Sequence, residues 1–130
     1  MPRETIVLLP GMDGTGRLFE PLVQACPDQF IAKAIALPGS GSYDLLSEEI
    51  APRIRQAERV VLVAESFSGP LAVRMAAQFP DSVKALVLCN SFVAPPRSAL
   101  LRAFPWSMIF AFTPPAFIVR QLFVGGGASA

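Results

Sequence analysis

A layered α/β domain on a mostly parallel sheet is the fold class this sequence predicts. Three observations predict it. Four short apolar runs, rich in β-branched residues, alternate with longer stretches at helical spacing. Each run is apolar on both faces, as a strand covered from both sides must be. Turns containing Gly or Pro separate the runs from the helical stretches. Strand–helix–strand units of this kind put helices on both faces of a parallel sheet, giving three layers, α/β/α, with right-handed crossovers.

The elements follow in order. Thr5–Leu9 reads as a fully buried strand, and Pro10–Gly16 is a Gly-rich turn. Arg17–Ala25 reads as a helix with Leu18, Phe19, Leu22 and Val23 on one face. Phe30–Leu37 is the second strand, closed by Pro38-Gly39, and the charge of Lys33 within it suits an edge. Leu45–Gln56 is helical, with Ser47 a candidate cap and Pro52 against it in the middle. Arg59–Ala64 is the third strand, and Phe67–Phe79 is a helix stopped by Pro80, with Leu71, Met75 and Phe79 at helical spacing. Val83–Cys89 is the fourth strand. Beyond it the rhythm changes: Asn90–Val124 carries seven of the twelve aromatic residues and no strand pattern. The expected division is a core over 1–92, a helical, cap-like segment over 93–124 and a flexible tail over 125–130.

Composition narrows the function. The chain has 130 residues, 52% of them hydrophobic, and a formal net charge of +1. That balance argues against nucleic acid or an anionic membrane surface as a partner. Ala103–Val119 is the most apolar stretch, but its prolines argue against a membrane span. Two cysteines, Cys26 and Cys89, make neither a disulfide framework nor a zinc site. They read as buried thiols of a cytoplasmic protein, and neither a cofactor nor a metal is expected. The chain contains no histidine, so the commonest general base is missing.

The chemistry-bearing pattern is Ala64-Glu65-Ser66-Phe67-Ser68-Gly69, where the third strand runs into a helix. A serine at such a tight turn has strained dihedrals and an exposed Oγ. Small residues two before and two after it let strand and helix pass closely. The bland alternative is Ser66 as a helix N-cap. Acyl transfer also needs two backbone N–H groups aimed at the developing oxyanion. One follows the nucleophile, at Phe67. The other is expected from Pro10–Gly16, which could equally be a phosphate-binding loop or a plain turn. Gly11, Gly14 and Gly16 do not have the dinucleotide-binding spacing, and no Walker lysine follows.

Leu9-Pro-Gly-Met-Asp-Gly-Thr-Gly16 and Ala64-Glu-Ser-Phe-Ser68 resemble the oxyanion loop and nucleophile elbow of the α/β-hydrolase fold. The pair is similar to an esterase and acyltransferase-like branch that includes the plant phytyl ester synthases. The resemblance covers residues 4–92. It implies Ser66 as nucleophile and the backbone amides of Met12 and Phe67 as oxyanion donors. Ala64 and Ser68 stand where the family's elbow has glycines. The resemblance further implies a partial α/β-hydrolase fold lacking the C-terminal strands, in the spatial order second, first, third, fourth. The family's acid and base follow on later strands.

The expected activity is therefore that of a serine hydrolase acting on carboxylic ester or thioester bonds of a small-molecule substrate. Alone, these 130 residues are expected to be nearly inert. A second reading is a non-catalytic fragment or interaction module that associates through an open edge on the fourth strand. The expected partners are a second copy, or a complementing chain that supplies Asp and His. The aromatic stretch would line an acyl pocket as a lid, be ordinary core, or form an exposed apolar surface that drives association.

Overall fold

The computed structural model describes residues 3–38 and 41–93. The calls on the cap-like segment 93–124 and the tail 125–130 lie outside these residues, Val93 excepted. Four strands, β1 (Glu4–Leu9), β2 (Phe30–Ala34), β3 (Val60–Glu65) and β4 (Val83–Cys89), form one sheet in the order β2-β1-β3-β4. All three pairings are parallel. The α/β class and the strand order agree with the sequence reading, and Lys33 lies exposed on the edge strand β2 opposite Val7.

One face of the sheet carries the core. Val7 and Leu9 of β1 and Val60, Leu62 and Ala64 of β3 recur with the period of two that a pleated strand imposes. They pack against two helices, α2 (Tyr43–Arg55) and α3 (Gly69–Gln78). α2 contributes Leu46, Ile50 and Ile54 and α3 contributes Leu71, Ala72 and Met75. These spacings of three and four place each set on one helical stripe. A bulge at Lys84 keeps β4 in phase: Val60 pairs with Val83 but Val61 with Ala85. The extra residue lets Val83, Leu86 and Leu88 all pack on the same core while Lys84 turns outward.

Several boundaries differ from expectation, each for a local reason. The second strand ends at Ala34, not Leu37. Ile35 N–H still donates to Leu8 O, but Leu37 N–H donates to Gly14 O at 2.7 Å. The apolar run thus continues as buried Ile35, still bonded to β1, and buried Leu37, bonded to the loop after it. The helix expected over Arg17–Ala25 is a 3-10 turn over Arg17–Phe19 followed by a short α1 (Glu20–Gln24). Pro21 is its second residue, within the first turn, where its missing N–H costs nothing. Leu18 and Leu22 are 68% and 51% exposed, so the proposed apolar face is not buried as a unit.

The cap of α2 is Ser42, whose Oγ accepts from Leu45 N–H. Ser47 lies inside the helix, is buried, and donates to Tyr43 O at 2.6 Å. Neither thiol is buried: Cys26 is half-buried and Cys89 exposed. Cys89 ends β4 on the face turned away from α2 and α3.

Glu4 joins the strands at their amino ends. It accepts from Lys84 Nζ and pairs with Arg59 at 3.9 Å. The Lys84 hydrogen bond is the main cause that holds its carboxyl below the usual carboxylate range, with the charges of Lys84 and Arg59 helping and desolvation opposing. A carboxyl lowered in the folded state adds stability above its unfolded value and loses it as pH falls through the folded one. Urea melts of the parent and Glu4→Gln are expected to differ at neutral pH. They should converge as the pH drops below the carboxylate range, with the difference shrinking in salt.

Candidate active site

The site lies where β1 and β3 end. Their parallel register pairs Leu9 with Ala64, so the chain leaves both strands at the same level. In open α/β sheets this carboxyl end is where ligands bind. After β3 the backbone is extended at Glu65 and then turns abruptly. Ser66 has φ 51°, in the left-handed region that side chains disfavour. Residues Ser66–Ser68 form one 3-10 turn and α3 follows at once. Ser66 is half-buried, and among the described residues its Oγ makes no hydrogen bond. It is not the capping residue of a helix: Glu65 and Ser68 hold those positions, without side-chain capping bonds.

The loop after β1 lies directly against this turn. A Cβ on Gly11 would come within 3.3 Å of Ser66 Cβ and 3.5 Å of Glu65 Cδ, so only glycine fits without displacement. Gly14 N–H donates to Gly11 O at 3.1 Å, closing a turn around Met12 and Asp13. Gly14 has φ 64° and Gly16 φ 73°, which glycine adopts freely. Thr15 Oγ1 donates to Asp13 Oδ2 at 2.5 Å and accepts from Arg17 N–H at 3.2 Å, so Asp13 shapes the loop. Met12 is 65% exposed, at the tip. Neither the Met12 nor the Phe67 N–H donates to a turn, loop or cap carbonyl among the described residues.

Three hydroxyls that sequence reasoning assigned no role hold this arrangement. Ser68, fully buried, donates to Pro10 O and so ties the elbow to the loop. Tyr43, at the start of α2, donates to Phe67 O at 2.8 Å, its ring 6.2 Å from that of Phe67. Ser91, just beyond β4, donates to Ser66 O. A serine or tyrosine pointing at a carbonyl from a distant element leaves no sequence signature; only the pairing of elements reveals it.

Lys33 and Lys84 both lie away from the elbow, the latter at the far end of the sheet. Asn90 has φ 45° and turns the chain after β4. No three His, Cys, Asp or Glu side chains gather as a metal site among the described residues. No helix there is long and apolar enough to cross a membrane. A cleft of about 700 Å³, lined by Arg3, Glu4, Phe30, Gln56 and Arg59 among others, opens at the amino ends of the strands, opposite the elbow.

Two predictions follow from the clamps and the strain. Tyr43 is the single tyrosine of the chain, and burial raises its phenol above the ordinary value. Its contribution to stability is full below about pH 10 and is lost as pH rises through the folded value. Phenolate absorbance is expected to titrate above 10 in the folded chain and to return to about 10 in urea. The positive φ of Ser66 costs on the order of 1–3 kcal/mol. Ser66→Gly is therefore expected to leave the chain as stable or up to about 2 kcal/mol more stable by urea denaturation, where glycine in an ordinary helix or strand costs about 0.5–1 kcal/mol.

The fold has solved counterparts. An extracellular α/β-hydrolase from a Paenibacillus species, described as sharing structural and functional homology with tobacco salicylic acid binding protein 2, superposes with a TM-score of 0.54 at 17% identity. A mutant of polyneuridine aldehyde esterase superposes with a TM-score of 0.52 at 18% identity. The matches cover 98% and 94% of this chain but only 61% and 51% of those proteins. No family model and no curated protein matches the sequence. The likeness is thus one of fold: the chain has part of an α/β-hydrolase fold, spanning between half and two-thirds of the length of these enzymes.

Proposed function

We propose that this chain carries the nucleophile and oxyanion donors of a serine hydrolase acting on carboxylic ester or thioester bonds. The observation that carries the reading is Ser66 at φ 51° on the carboxyl end of a parallel strand, with Gly11 packed on its Cβ. The hydrolase fold of the structural neighbours supports the reaction class.

In this reading Ser66 Oγ attacks the acyl carbon while a base takes its proton. The carbonyl π pair moves onto oxygen, between the N–H groups of Met12 and Phe67. Collapse of the intermediate expels the alcohol or thiol, which recovers the proton from the base. Water then hydrolyses the acyl-Ser66 ester by the same sequence. The Phe67 amide opens the turn that leads into α3, where helix-end N–H groups favour negative charge. With no histidine in the chain, the base and its acid partner come from other residues, and a complementing chain that brings Asp and His fits that need. Losing the base costs on the order of 10⁶ in turnover in a well-studied serine protease, so the 130 residues alone should turn over esters barely at all.

The test uses an alkyl fluorophosphonate with free imidazole as a soluble base. Intact mass and peptide mapping are expected to place one adduct on Ser66, absent from Ser66→Ala. Equal labelling of Ser66→Ala would sink the assignment.

A further inference from the structure

A trans peptide fixes N–H and C=O in one plane, pointing in opposite directions. What holds the carbonyl of residue 66 therefore aims the N–H of residue 67. Ser66 O accepts two hydrogen bonds: from Gly69 N–H within the turn, and from Ser91 Oγ. A carbonyl oxygen has two lone pairs and can accept both. The second bond, from a distant element, narrows the pivot that the turn's own bond leaves to the peptide plane. We propose that Ser91 is a positioning residue that aims the Phe67 amide at the developing oxyanion.

The surrounding backbone is built for this contact. Among the described residues, Ser66 and Asn90 are the two non-glycine residues with positive φ, at 51° and 45°. One presents the carbonyl and the other turns the chain after β4 so that Ser91 reaches it. Strain of this kind persists only where its surroundings over-determine it. Gly69, the first residue of α3, supplies the room: a Cβ there would overlap Ser91 Oγ and the Phe92 carbonyl. The other candidate donor is held in a parallel way. The Met12 amide shares a plane with Gly11 O, which Gly14 N–H holds. Ser91 does for one donor what Gly14 does for the other.

The proposal rests on Ser66 being the nucleophile, and its test separates the two. The 130-residue chain is treated with ethyl methylphosphonofluoridate and imidazole. The Ser66 Oγ–P bond forms, the P–F bond breaks, fluoride leaves and imidazole takes the proton. The phosphoryl oxygen then occupies the oxyanion position. Labelling rate and the ³¹P shift of the adduct are read.

Ser91→Ala and Gly69→Ala are expected to label about tenfold slower, between no effect and the 10²–10³ lost when such a donor is removed outright. Their ³¹P signals should move toward that of the urea-unfolded adduct, and Ser91→Thr should restore both readouts. Ile54→Val, a core change in α2, should lower the urea midpoint and leave both readouts alone. If Ser91→Ala does not fold, Ser91→Cys decides, since it keeps the shape with a weaker donor. Values between those of the parent and the unfolded adduct uphold the proposal and parent values overturn it. An adduct on Ser66 whose rate and shift ignore Ser91→Ala overturns the role of Ser91 alone. No adduct on Ser66 overturns the nucleophile reading and this proposal with it.

Discussion

The approach of two chain segments at the top of the sheet governs the rest of this structure. β1 and β3 are neighbours in parallel register and end together, so the segments that follow them must leave side by side. They do so with Gly11 against Ser66 and Ser68 bonded to Pro10 O. A side chain at 11 would crowd Ser66 Cβ, and Ser66 is bent into a conformation that serine disfavours. That bend, on the order of 1–3 kcal/mol, is sustained because both segments are anchored below it. Leu9 and Ala64, the paired residues immediately beneath, are fully buried in the same core as Leu62 and Leu71. Packing on one face of the sheet thus holds a strained turn at its end.

A turn of this kind has carbonyls that no strand ladder satisfies, and buried carbonyls are costly to leave unpaired. Here side-chain hydroxyls take the place of the ladder. Ser68 serves Pro10, Tyr43 serves Phe67 and Ser91 serves Ser66, from the elbow itself, from α2 and from beyond β4. Each bond adds only about 0.5–1.5 kcal/mol of net stability, but together they leave few ways for the peptide planes to rotate. Anchors from separate elements also make the turn's geometry depend on the docking of α2 and β4, and not on local propensity alone.

This explains what was legible in the sequence and what was not. The four strands could be read as continuous apolar runs, although only one face of the sheet carries the core; their order was implied by the resemblance to the hydrolase fold, and Lys33 marks the edge. Ser66 stood out because a tight strand-to-helix crossing demands small neighbours at fixed offsets. Residues 35–37 looked like strand because Ile35 and Leu37 are buried as strand residues are, yet the Leu37 N–H finds its partner in the Gly14 loop. Ser47 and Ser42 both had the chemistry of a cap, and only the true start of α2 distinguishes them. Ser68 read as merely small, since its spacing explains its size and says nothing of its hydroxyl. Ser91 and Tyr43 belong to no local pattern, because the bonds they make join residues 25 and 24 positions apart.

The described residues and the missing histidine divide the chemistry along a physical line. In the proposed reading, nucleophile placement and oxyanion donors depend on backbone geometry, and the β1–β3 junction with its clamps is what would set it. Proton transfer depends on a titratable group near neutrality, and the chain has no histidine, the side chain whose ordinary pKa lies there. In triad enzymes the donors and binding alone leave a residual 10³–10⁴ over water when a triad member is removed. Preorganised dipoles act on charge as it develops and need no proton partner to be in place beforehand. An elbow of this form can therefore be rigid before any base is present. The core under β1 and β3 is the source of that rigidity.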